Sequence, residues 1–116
     1  MLTIEDLRRL GAKTEEGLGR CMNNEAFYLR LVKMALGDAS FDKLAAAIEN
    51  GDRKAAFEAA HALKGSLGNL ALTPIYQPVA ELTELLRGEE GPEADYGAYL
   101  AKILEQRDAM AALDKA

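Results

Sequence analysis

The sequence predicts an all-α protein: an up-down four-helix bundle with short additional N-terminal helices. Three observations predict it. Alanine and leucine dominate a chain of 116 residues that has no tryptophan and only three prolines, a mixture that favours helices over strands. Apolar residues recur at three- and four-residue intervals in one stretch after another, the spacing of helices that bury one face. The breaks between the longer stretches are only a few residues long, and short connections make successive helices antiparallel neighbours.

The elements follow in order. Thr3 can cap a short helix to Leu10 with Ile4, Leu7 and Leu10 on one side, and Gly11 ends it. Thr14 is placed to cap a second short helix reaching Met22, with Glu15 and Glu16 at its positive end. Its apolar residues Leu18, Cys21 and Met22 are few, so it is expected to lie on the bundle as a lid. Asn24 is a natural cap for a helix from Glu25 to Leu36, whose inward residues are expected to be Phe27, Leu31, Met34 and Ala35, widened by Leu29, Val32 and Leu36. After a turn at Asp38-Ala39-Ser40, a helix with Phe41, Leu44, Ala47 and Ile48 inward runs to the stop at Asn50-Gly51. It can extend the preceding helix after a kink. Asp52 caps the next helix, to about Leu70. Thr73 as cap and Pro74 at the first helical position start another, with distortion expected at Pro78 and a core face of Val79, Leu82, Leu85 and Leu86. A polar, breaker-rich loop is expected over 88–95. The last helix spans about Tyr96 to Leu113, with Tyr99, Ile103, Met110 and Leu113 inward.

The length suits a single domain over 1–116. Hydrophobic residues make up 49% of the chain, which places it among folded proteins. The formal charge of −5 argues against a nucleic-acid partner, which asks for a basic face. No apolar run reaches membrane-spanning length and no signal-peptide pattern opens the chain. The single cysteine, Cys21, suits a reducing compartment, so the expectation is a cytoplasmic monomer.

The chemistry converges on the stretch from Ala59 to Leu70. Ala56, Ala60, Leu63, Leu67 and Leu70 form a 4-3-4-3 stripe. Around a helix of about 100° per residue, His61 lies roughly 140° from it, Gly65 roughly 180° and Gly68 roughly 120°. The only histidine of the chain is therefore expected on the outer face, with Lys64 one turn on. A mid-helix glycine costs roughly 0.5–1 kcal/mol relative to alanine, so two beside one histidine ask for a reason. The reason read here is access: with no side chain at Gly65 or Gly68, a partner can approach the backbone and reach the ring. An unprotonated imidazole is a nucleophile, and Lys64 can hold the charge of an anion carried on it. Phe57, one turn before His61, is either an apolar contact for a docking partner or an ordinary core edge.

The run His61-Ala62-Leu63-Lys64-Gly65, followed by Ser66-Leu67-Gly68-Asn69-Leu70, resembles the signature of histidine-containing phosphotransfer domains, His-x-Leu-Lys-Gly followed by small residues and Leu-Gly. It departs at Ala71, where that family usually has a glycine; helical or extended geometry is expected there. The resemblance covers most of the chain in helix order and is specific only over Ala59 to Leu70. It implies a four-helix bundle and a phosphorelay role, in which His61 takes a phosphoryl group on Nε2 from a receiver-domain aspartate or a sensor histidine kinase and passes it to another receiver. It also implies that the receiver supplies the aspartate and Mg²⁺, so that no cofactor is needed here.

Other chemistries find little support. Neither phosphate-cradling glycine motif is present, so autonomous kinase activity is not expected. One histidine and one cysteine forty residues apart make no metal site. Ser66 and His61, five apart on a helix, face different directions and make no hydrolase pair. Ser66 and Asn69 remain candidates for hydrogen bonds beside the site. The alternative function is a non-phosphorylated helical adaptor that docks receiver domains or another protein.

Overall fold

The computed structural model describes residues 1–87 and 95–114. Among them are seven helices and no strand: α1 (Ile4–Leu10), α2 (Thr14–Arg20), α3 (Glu25–Leu36), α4 (Ser40–Glu49), α5 (Arg53–Asn69), α6 (Thr73–Leu86) and α7 (Tyr96–Asp114). The loop expected over 88–95 lies, apart from Asp95, outside the described residues.

The caps that act locally form as their sequences demand. Thr3 accepts from Asp6 N at 3.1 Å, Asn24 from Phe27 N at 3.0 Å and Asp52 from Ala55 N at 3.1 Å, each satisfying a donor that the first turn leaves unpaired. Gly11 closes α1 at φ 106° and Gly51 follows α4 at φ 70°, the left-handed region that favours glycine. Two expected caps lie one residue inside their helices instead. Thr14 is the first residue of α2, fully buried, and its hydroxyl donates to the Glu15 carboxylate. Thr73 is the first residue of α6, preceded by Leu72, and its hydroxyl donates back to Ala71 O at 3.4 Å. The second helix also stops at Arg20, short of Met22, which is exposed with φ 58°.

At the centre of the bundle, α5 packs chiefly against α4 and α6, and α7 closes against α6 and α4. The stripe of Ala56, Ala60, Leu63, Leu67 and Leu70 is buried throughout. It meets Phe41, Leu44 and Ala47 of α4, Ile75, Val79, Leu82 and Leu86 of α6, and Ile103 and Met110 of α7 in a common core. Leu85, Tyr99 and Leu113, expected inward, are only half-buried. Pro78 lies inside α6, which continues through it to Leu86.

The third helix departs from expectation. Tyr28, Val32, Ala35 and Leu36 face the core, whereas Phe27 is 39% exposed and Met34 66%. Nearly every position from Phe27 to Leu36 is apolar, so spacing alone leaves the rotational phase open by one residue. In α1, Leu7 alone is buried and Leu10 is exposed. The N-terminal segment meets the last residue of α7: Asp114 accepts from Leu2 N at 3.3 Å and pairs with Lys33 at 3.3 Å.

Candidate functional site

The site is built on the outward arc of α5. Seventeen residues of continuous helix, with the opposite face locked in the core, hold the side chains of this arc at fixed relative angles. His61 is exposed. Its ring stacks on Phe57, one turn earlier, with centroids 5.7 Å apart and planes at 22°. Phe57 is half-buried, and the Arg87 guanidinium lies over its ring at 5.4 Å from the centroid, a cation–π arrangement. The apolar residue beside the histidine is thus occupied in setting the ring.

Lys64, one turn after His61, is partly buried and lies 3.9 Å from a Glu84 oxygen. The same carboxylate takes both Nη2 and Nε of Arg87, at 3.1 and 3.3 Å. Arg87 first, and Lys64 to a smaller degree, hold the Glu84 carboxyl below the usual carboxylate range. The pair through Lys64 is long and its carboxylate is exposed, a geometry of small net energy, so the ammonium can turn to a stronger anion at little cost.

The two glycines differ. A Cβ on Gly65 would meet nothing within 4 Å beyond its chain neighbours and its own helix backbone, so this position is open. A Cβ on Gly68 would lie 3.1 Å from Cε2 of Tyr76. Of the two glycines expected to clear an approach, Gly65 borders open space and Gly68 faces the Tyr76 ring. At Gly68 the missing side chain makes room for the Tyr76 ring on α6. Ser66 also turns away from any role beside the ring, since its hydroxyl donates to Ala62 O of its own helix at 3.4 Å.

The C-terminal end of α5 is fastened by several elements. Leu72 N bonds Leu67 O at 3.0 Å and Ala71 N bonds Gly68 O at 3.1 Å, the paired reversal that ends many helices and needs a left-handed residue between. That residue is Ala71, at φ 57°. The helical or extended geometry expected for Ala71 is corrected, and a glycine-type conformation is imposed on a residue with a Cβ. Tyr28 donates its buried hydroxyl to Leu70 O at 2.8 Å, and Lys13 N donates to Ala71 O at 3.0 Å. Burial, with smaller contributions from Cys21 and Glu15, pushes the Tyr28 hydroxyl up to about 12. Gly17 on α2 lets this junction close, because a Cβ there would collide with the Tyr28 ring and stand 2.6 Å from Leu70 O.

Arg20, from α2, was not marked by any motif. Its Nη1 donates to Gly68 O at 2.8 Å and to Asn69 O at 3.0 Å, a cation on the negative end of α5. With His61, Lys64, Gly65, Gly68 and Tyr76 it lines one open depression. A residue on a seven-residue helix forty-one positions before the histidine leaves no trace in spacing; only the fold brings it there. Among the described residues no group of three or more His, Cys, Asp or Glu could hold a metal ion, and no helix is long and apolar enough to cross a membrane.

The family model described as Hpt domain matches residues 34–116, which include the end of α3 and everything after it. No curated protein and no solved structure matches the chain.

Proposed function

This chain belongs to the Hpt domain family, whose members carry phosphoryl groups between proteins of two-component signalling and are not themselves kinases, and we propose that His61 is the residue that carries it. The observation that bears this reading is the exposed imidazole on a rigid helix, with Lys64 one turn on and open space over Gly65. In-line attack of the Nε2 lone pair on phosphorus forms the N–P bond. The P–O bond to the donor aspartate breaks, its carboxylate leaves with the electron pair, and the Nδ1 proton stays on the ring. The reverse step delivers the phosphoryl group to a second receiver aspartate. Such transfers depend chiefly on positioning and charge stabilisation. Stacking on Phe57 fixes the ring, and Lys64 leaves Glu84 to hold the phosphoryl oxygens. The receiver contributes its aspartate and Mg²⁺, and this chain works as a cytoplasmic monomer without a cofactor of its own.

The test is to mix the protein with a panel of receiver domains phosphorylated by a small-molecule donor in Mg²⁺, then follow label at low and high pH. Phosphohistidine is labile in acid and persists in base, whereas an ester on Ser66 or Thr73 survives acid. The expected result is acid-labile label on the parent protein and none on His61→Gln with its helical signal unchanged. Acid-stable label, or label on His61→Gln, would overturn His61 as the carrier, and receiver binding without any label would favour an adaptor that docks partners without carrying phosphate. Lys64→Ala should slow transfer more than it weakens receiver binding, because its charge matters most where phosphoryl charge develops; equal losses would make it a docking residue only.

A further inference from the structure

We propose that Arg20 is a docking residue: it receives a carboxylate on the rim of the receiver domain, about 10 Å along the α5 axis from His61. The proposal rests on the phosphorelay reading and adds to it a contact from α2, which precedes the matched residues 34–116.

Arg20 uses only Nη1 on the carbonyls of Gly68 and Asn69. Its Nε and Nη2 donate to nothing among the described residues. Arg8, Arg9, Arg87 and Arg107 each pair with a carboxylate of this chain, and Arg20 pairs with none. Two anchored bonds hold the guanidinium in place while its remaining donors stay free. Such a half-used fork is suited to accept a carboxylate in two parallel bonds without much loss of side-chain freedom.

Charge points the same way. The chain as a whole is acidic, at −5, yet the depression shared by Arg20, Lys64 and His61 is lined by two cations and no carboxylate. A partner that brings an aspartyl phosphate and its neighbouring acids to His61 meets this local positive field first. Gly68, which anchors Arg20, lies seven positions after His61, about 10 Å along the helix axis, whereas Lys64 lies within one turn of the ring. Lys64 is left to the phosphoryl group and Arg20 to the rim of the partner.

A rim charge acts on association and its salt dependence more than on the chemical step. Transfer to and from the best receiver domain of the panel should be measured for the parent, Arg20→Met and Arg20→Lys, at low and high salt. Arg20→Met should raise KM roughly five- to tenfold at low salt, leave kcat within about twofold, and flatten the dependence of KM on salt. Arg20→Lys, which keeps the charge and loses the fork, should raise KM by less than Arg20→Met does. An Arg20→Met protein that loses stability but keeps the parent KM would make Arg20 a helix cap alone and overturn the proposal. If Arg20→Met does not fold, Arg20→Lys decides alone: a raised KM at unchanged kcat supports the fork and a parent-like KM overturns it. Phosphoramidate serves as a control donor that needs no docking. Equal labelling of the parent and the folded variant supports a defect confined to the partner. Labelling of the parent by phosphoramidate but by no receiver would overturn the relay itself, and with it the docking role.

Discussion

The two halves of the outer arc of α5 have different surroundings. From Phe57 to Gly65 the outward side chains lie at the surface and are held only by side-chain contacts: the ring stack of Phe57 with His61, a cation–π contact from Arg87 and one long ion pair to Glu84. From Gly68 to Leu72 the backbone is tied to α2, α3 and α6 through Arg20, Tyr28, Lys13 and the Tyr76 ring. The first half can change without disturbing the fold, while the second positions the first. A reactive group that must stay accessible gains little by being buried, so its geometry is fixed from the end of its helix. Substitutions in the two halves should therefore separate cleanly into those that change transfer and those that change stability.

The largest stability effect should come from Gly17→Ala, which forces a methyl group against the Tyr28 ring and the Leu70 carbonyl. A loss of roughly 1–3 kcal/mol is expected for such overpacking, read from denaturant curves. A loss below a few tenths would mean that the junction is looser than its contacts imply. Ala71→Gly should act in the opposite direction. It relieves a left-handed alanine that costs about 1–2 kcal/mol, less the greater freedom of glycine in the unfolded chain, so a net gain of up to about 1 kcal/mol is expected. No gain would indicate that the helix end relaxes around alanine without strain.

Tyr28→Phe should cost about 0.5–1.5 kcal/mol through the lost hydrogen bond to Leu70 O, and its more specific effect is on pH dependence. The folded state holds the Tyr28 proton more tightly than the unfolded state, with a value near 12 against an ordinary 10.0. The stabilisation is complete below about pH 10 and is lost as pH rises towards 12. Denaturation midpoints across this window should fall less steeply in Tyr28→Phe than in the parent. Parallel pH profiles would show that the hydroxyl is not held protonated by the fold.

The contrast between the two halves also explains what could be read from sequence. The buried stripe of α5 and the outward place of His61 follow from a 4-3 repeat that is clear because, Phe57 apart, small or polar residues separate its members. The caps at Thr3, Asn24 and Asp52 are legible because each bond spans three residues. The face of α3 was not, since Phe27, Tyr28, Leu31, Val32, Met34 and Ala35 offer two apolar stripes one residue apart, and packing chose the one with Tyr28. Gly65 and Gly68 look alike in sequence because the Tyr76 ring that fills one seat comes from α6. The strain at Ala71 is a property of the turn that follows α5, and the nearest hint of it was the glycine usual there in the family. Arg20 depends on the fold alone.

The most direct test of the division is Gly65→Gln, measured for transfer and stability together. Glutamine restores helix propensity at an open position and places a side chain beside His61. The predicted result is a protein at least as stable as the parent, with unchanged spectra and phosphoryl transfer slowed at least about tenfold, a barrier increase of about 1.4 kcal/mol. Transfer at the parent rate in the stable variant would contradict the account, because the open half of the helix would then not be the path by which a partner reaches His61.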